Sequence, residues 1–346
     1  MRLNCMFLSS VMALATAGAA FAEDTLTVTS WGGAYTKSQE EAFFKPFAKQ
    51  TGTKILQDEW DGSTAKLKGM VETGQVTWDI VDVEPSHALQ GCDEGWLETI
   101  DYSKLGGKDA FIDGAAMDCA VATIVFGTIY AYDAAKFPNG GPTTMADLFD
   151  TAKFPGPRAL RKSPKTTLEF ALIADGVKPS EVYDVLGTPA GVDRAFKKLD
   201  TIKKNTIFWE TNSQSQQLFT DGEVTCGLIL NGRAYDAIKK GAKIALEWNQ
   251  NIQSVDYLVV PKGSKRLEIA MALIDSMTVA ENQAKVANLI AYSPTNPQAF
   301  ASIDKEVAPW LSTNPDNAKQ GFIINAEYWR DNLQKLQERW ESWKLS

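Results

Sequence analysis

The apolar positions of this chain switch between two periods from one end to the other. Short runs rich in Val, Ile, Leu and Thr predict strands at 26–30, 54–59, 80–83, 120–125, 128–132, 224–230, 244–247 and 254–260. Between them, apolar residues three and four apart predict helices at 34–49, 64–73, 86–94, 145–150, 167–175, 181–185, 191–204, 213–221, 232–240, 267–278 and 280–290. A final helix, 325–343, carries Trp329, Leu333, Leu336, Trp340 and Trp343 as one stripe, the pattern of a face docked onto the body of the protein. Strands alternating with helices predict an α/β protein with largely parallel sheets. The chain is long enough for two domains, yet no Pro/Gly/Ser-rich linker divides it. It is therefore expected to cross between two domains more than once, near 128–133 and near 257–261.

The N-terminus follows a different pattern. Arg2 precedes an apolar, small-residue run over 6–20, and Ala20-Phe21-Ala22 is an A-x-A cleavage site before Glu23. Residues 1–22 thus read as a signal peptide cleaved after Ala22, and no later segment approaches 18 apolar residues. The mature chain is expected to be soluble and exported, most simply to a bacterial periplasm. With 35 Lys and Arg against 43 Asp and Glu, the charge is negative and argues against a nucleic-acid partner.

Three cysteines survive cleavage, so an oxidising compartment predicts one pair and one free thiol. Cys92 and Cys119, both near element ends in one N-terminal half, are the expected pair, and Cys226 the buried thiol. No CxxC occurs, nor GxSxG, GxxxxGK[ST], GxGxxG or HExxH. The only histidine, His87, sits just behind a Ser86 helix cap and reads as a surface residue. Nothing positive points to an enzyme, a metal or a cofactor, so none is expected.

In α/β binding proteins, ligand contacts lie where strands end and loops begin. Trp31 follows the first strand, beside Gly32-Gly33 and a helix start whose amides are expected to be unsatisfied. Asp61 follows the second strand. Asp82 and Glu84 follow the third and read as hinge-side or capping carboxylates. Phe126 and Thr128 lie near the first crossing, Trp209 before a capping Ser213, and Tyr292 after a helix. Trp31 and Trp209 suit either pocket walls or core packing, and ten tryptophans leave both readings open. Arg233 opens a helix behind an apolar strand, where its guanidinium could grip a carboxylate through two parallel bonds. Asp256 lies in an apolar strand and needs a cationic partner. Either these two form salt bridges with each other or with neighbours, or they face a ligand's carboxylate and ammonium.

Seven segments in order resemble one family: SWGGAYTKSQEEAFFKPFAKQTG at 30–52, WDIVDVE at 78–84, GWLETID at 95–101, FGTIYAYD at 126–133, LFTDGEVTCGLILNGRAYDAI at 218–238, VDYLVVPKGS at 255–264 and AYSPTNPQAF at 291–300. They resemble the periplasmic solute-binding proteins of ABC importers, in the spermidine/putrescine-binding-like branch. The resemblance implies a type II-like fold of two α/β lobes joined by crossover strands, with ligand in the interlobe cleft, no catalysis and a membrane permease as partner. It places the lobes at 23–128 plus 258–300 and at 129–257 plus 301–346, in a monomer. Family contact positions fall on Trp31, Phe126, Thr128, Trp209, Arg233, Asp256 and Tyr292. Arg233 departs from what a polyamine requires and looks like the γ-aminobutyrate branch, in which an arginine and an aspartate hold the carboxylate and the amine. The resemblance therefore implies an ω-amino acid such as γ-aminobutyrate, with a polyamine such as putrescine or spermidine as the alternative. An exported hydrolase or transferase on a similar scaffold is the reading from another class.

Overall fold

The computed structural model describes residues 25–346, so the expected signal peptide lies outside the described residues. A sheet of 11 strands runs through them. In its first half β1 (Thr25–Ser30) lies parallel between β2 (Lys54–Glu59) and β3 (Ile80–Val83). The 14-residue β4 (Ala120–Asp133) then carries the chain into the second half. There β5 (Arg158–Arg161) lies parallel between β6 (Thr206–Trp209) and β7 (Cys226–Leu230). The 16-residue β8 (Ile244–Val259) pairs antiparallel with β4 along most of its length and with β3 near its end. The resulting order is β2-β1-β3-β8-β4-β7-β5-β6, with three two-residue strands at its margins. Two lobes thus share one sheet, and β4 and β8 are the struts between them.

Several expectations change here. The pair predicted at 120–125 and 128–132 is the single strand β4, and the pair at 244–247 and 254–260 is the single strand β8. Strands β5 and β6 went unpredicted. The helix expected over 34–49 consists of α1 (Gly33–Gln39), a π-helical turn Glu40–Phe44 and a further α-helix Lys45–Thr51. Phe43, Phe44 and Phe47 are buried as their spacing requires. The elements that position the cleft are α1, α2 (Pro85–Glu94), α3 (Thr167–Ala174), α4 (Asn212–Thr220), α5 (Asn231–Lys239) and α6 (Ala326–Leu345).

Each lobe has its own core. In the first, Leu26, Val28, Ile80 and Val81 of the sheet pack with Phe43 and Phe47. In the second, Leu160 and Leu228 pack with Phe170 of α3 and with Trp329, Leu336, Trp340 and Trp343 of α6. That is the docking stripe expected of the last helix, and each of its side chains contributes about 1.5–3 kcal/mol on burial. Cys92 on α2 and Cys119, just before β4, form the expected disulfide, while Cys226 is a buried free thiol. Closing a loop of 27 residues stabilises the first lobe by roughly 3 kcal/mol. Among the described residues, no helix is long and apolar enough to cross a membrane.

Candidate functional site

The wall contributed by the first lobe is built at the end of β1. Gly32 and Gly33 both have positive φ, 70° and 56°. A Cβ on Gly32 would lie 2.4 Å from the Glu59 carboxylate, and one on Gly33 2.3 Å from Ser213 Oγ of the other lobe. The amides at the start of α1 are not all unsatisfied, as the sequence suggested, because the Gly33 N–H donates to Glu59 Oε1 at 3.4 Å. Trp31 is buried and tilted against Trp60, with ring centres 5.3 Å apart. Its Nε1 donates to Asp82 Oδ1 at 3.1 Å, and the other Asp82 oxygen accepts from the Tyr35 hydroxyl at 2.9 Å and Gln39 Nε2 at 2.8 Å. Asp82 is therefore a post that holds three side chains of this wall rather than a hinge or cap. Burial pushes its carboxyl up to about 7, although all three donors favour the charged form.

The facing wall begins with α5. Asn231 fixes its first turn by accepting from the Gly127 N–H of β4 at 2.9 Å and donating to the Ala291 and Trp310 carbonyls at 2.8 and 2.9 Å. Two residues on, the fully buried Arg233 reaches across the cleft. Its Nη2 donates to the Gly32 carbonyl at 2.8 Å and the Trp31 carbonyl at 3.3 Å. Its Nε and Nη1 have no hydrogen-bond partner, and neither has the Tyr292 hydroxyl beside it. Asp256, on the strut β8, is buried with Oδ1 equally unpartnered. Burial, followed by the charges of Asp82 and Glu84, pushes its carboxyl well above the usual range. Arg233 and Asp256 both act electrostatically on the buried Tyr292 hydroxyl, and no salt bridge joins the two among the described residues.

Aromatic rings pack around Tyr292. Tyr292 stands edge-on to Tyr35 at 5.4 Å and to Phe126 at 6.2 Å. Phe126 and Thr128 line an adjoining cavity of about 10 Å³, and a register shift in the β4–β8 ladder falls just beyond Thr128. The structure thus brings together Trp31, Phe126, Thr128, Arg233, Asp256 and Tyr292. Trp209 sits in an apolar cluster with Leu218, Phe219 and Ala234, its indole N–H unpartnered. Asp61 is exposed at the outer groove of about 840 Å³, where it accepts from the Ser63 N–H at 2.9 Å.

A second charged cluster joins the lobes. Glu84 pairs with Arg161 at 2.8 Å and with Lys165, whose Nζ also donates to Ser86 Oγ at 3.1 Å. Burial disfavours the Glu84 carboxylate, but the two cations outweigh it and hold its pKa below the ordinary value. His87, expected on the surface, is buried edge-on to Trp60 at 6.0 Å. Burial and the neighbouring Lys165 lower it to about 3, so the ring is neutral. Sequence reasoning did not single out Tyr35, Gln39, Arg161 or Lys165. The one available signal was Arg161 and Lys165 flanking Ser163-Pro164, a turn behind a strand too short to recognise.

A profile of the bacterial extracellular solute-binding proteins matches residues 42–319. The chain is 39% identical to a γ-aminobutyric acid-binding protein of Pseudomonas aeruginosa, over 96% of this chain and 95% of that one. A solved structure of the PBP AgtB from A. tumefaciens, in complex with agropinic acid, superposes with a TM-score of 0.85 at 36% identity, covering 93% of this chain and 99% of that one. A solved GABA receptor, Atu4243, gives 0.82 at 36% identity, covering 93% and 98%. With two lobes on a shared sheet and a cleft between them, the chain belongs to the bacterial extracellular solute-binding protein family.

Proposed function

We propose that this chain is the substrate-binding component of an ABC importer and that it captures a small ω-amino acid, γ-aminobutyrate or a close homologue, between its lobes. One observation carries the choice of ligand. Arg233 and Asp256 are a buried cation and a buried acid, each with a side-chain atom left unbonded and each acting on Tyr292. A buried charge without a partner costs several kcal/mol. A zwitterion relieves both costs together, with its carboxylate on Arg233 Nε and Nη1 and its ammonium on Asp256. A diamine relieves only one and presents a cation to Arg233. The relative named for γ-aminobutyric acid supports the same reading.

The remaining roles follow from this reading. Arg233 also binds the first lobe through Nη2, so one side chain would hold the ligand and the closed arrangement of the lobes. Trp31, Phe126, Thr128 and Tyr292 would pack the methylene chain, while Trp209 would support Arg233 from behind, through Ala234. The protein would act in the periplasm after cleavage at Ala22, as a monomer delivering ligand to a membrane permease, without catalysis. Thermal denaturation with a ligand panel tests this. γ-Aminobutyrate at about 100 times its Kd adds roughly 2.7 kcal/mol to stability and raises Tm accordingly. A rise with putrescine or spermidine and none with any amino acid would overturn the reading.

A further inference from the structure

We propose that Lys165 and Arg161 form the end wall of the ligand cleft, setting the longest ligand it accepts and rejecting diamines. This rests on the ligand reading above. Arg161 and Lys165 line a small cavity together with Phe126 and Thr128 of the strut β4, and both act electrostatically on Asp256. Both are held by one ion-paired carboxylate, Glu84 of the opposite lobe, and Asp256 and Glu169 are the other acidic groups that act on Lys165. His87, also packed there, is neutral and adds no charge.

The backbone places Lys165 there against local preference. Thr166 has φ 67° and ψ −37°, a conformation that a β-branched residue adopts only under constraint. Such strain persists where the surroundings impose it. Next to it the Lys165 ammonium, 4% exposed, lies on Glu84 and Ser86 of the other lobe.

Space at this end is as restricted as charge. The cavity between Glu84, Arg161, Lys165, Phe126, Thr128 and Ser254 amounts to about 10 Å³, room for a single water. A ligand anchored on Arg233 has its amine at Asp256, and each added methylene drives that ammonium toward two cations. A diamine anchored on Asp256 offers no carboxylate to Arg233 and brings a second ammonium among the cations that act on that aspartate, Arg161 and Lys165. Glu84 is not open to its second amine, because it already serves both cations.

Calorimetric titration of the mature protein with 3-aminopropionate, γ-aminobutyrate, 5-aminovalerate, 6-aminohexanoate and putrescine tests this in the wild type, Lys165→Met and Lys165→Ala. In the wild type, affinity falls about tenfold or more per methylene beyond the best-bound length. Lys165→Met removes charge at nearly constant bulk and frees a Glu84 oxygen, so putrescine gains about tenfold or more relative to the ω-amino acids. Lys165→Ala removes bulk as well, so the next longer homologue also gains about tenfold relative to the best-bound one. Wild-type ratios in both variants, each still melting cooperatively and binding the best ligand, overturn the end wall alone. A wild type that prefers putrescine to every ω-amino acid overturns the ligand reading and the end wall with it.

Discussion

Glu84 and Arg233 are comparably buried, lie in the same cleft and face opposite lobes, yet their surroundings differ. Glu84 is enclosed by Arg161 and Lys165, so its charge is compensated within the protein. Arg233 gives one nitrogen to the carbonyls of Gly32 and Trp31 and keeps two without partners, as Asp256 keeps one oxygen. A compensated cluster between lobes stabilises their approach whatever lies in the cleft. An uncompensated pair stabilises it only when something else supplies the missing charges. Loss of charge in the two regions should therefore have different consequences for recognition.

The largest effect is expected at Arg233. Arg233→Ala removes two bonds between the lobes and, on the proposed reading, the carboxylate grip, so affinity for γ-aminobutyrate should fall by about 4 kcal/mol, roughly a thousandfold; unchanged affinity by calorimetry removes Arg233 from the site. Asp256→Asn keeps the shape and loses the charge, for about a hundredfold loss. It also removes a pH dependence of known sign. The raised Asp256 pKa means that an arriving ammonium displaces a proton, so wild-type affinity weakens as pH falls through that pKa and the Asn variant does not share this slope. A wild-type affinity that rises on acidification contradicts the assignment.

Gly33→Ala tests the approach of the lobes itself. Its Cβ would meet Ser213 Oγ at 2.3 Å and Arg233 Nη1 at 2.8 Å, so closure is hindered and affinity drops by some tens of fold, with the first lobe intact by circular dichroism. Glu84→Gln, in the compensated region, shifts closure without touching the ligand. γ-Aminobutyrate and its shorter homologue should weaken by about the same factor, on the order of tenfold, whereas a loss confined to one of them would place Glu84 among the ligand contacts. Cys92→Ser should leave affinity unchanged while lowering stability by roughly 3 kcal/mol, read from the melting temperature.

How much of this was visible in the sequence depends on how local the cause was. Strands β1 and β3 and most helices follow from their apolar patterns because those apolar residues are buried, whereas β2 is an edge strand with no buried residue. Strand β8 looked like two because Asn249, Gln250 and Asn251 interrupt its apolar pattern. In the fold these amides are used at a distance: Asn249 donates to the Thr143 carbonyl, Gln250 accepts from the Met145 N–H, and Asn251 donates to the Asn317 carbonyl. Strand β5 was obscured by Arg158, which is fully buried yet satisfied by the carbonyls of Leu148, Asp150, Phe154 and Gly156. Neither pattern announces a strand until the partners are known.

The site divides along the same line. Arg233 and Asp256 stood out because an arginine at a helix start and an aspartate in an apolar strand are chemically conspicuous. Their relation did not, because it depends on contacts such as Arg233 to Gly32, 201 residues apart. Asp82, Arg161 and Lys165 look ordinary in sequence and acquire meaning only where lobes meet. His87 was misjudged for that reason, since its burial comes from Trp60 and the interlobe cations rather than from its own helix.

The central claim is that the cleft reads both ends of a zwitterion, and removing one end of the ligand at a time tests it without altering the protein. Calorimetry of the wild type with γ-aminobutyrate, butyrate and putrescine compares the complete ligand with one lacking the amine and one lacking the carboxylate. The structure predicts tight binding of γ-aminobutyrate and a loss of about a hundredfold or more for each of the others. Putrescine binding as tightly as γ-aminobutyrate would contradict it, because Arg233 would then have no carboxylate to hold.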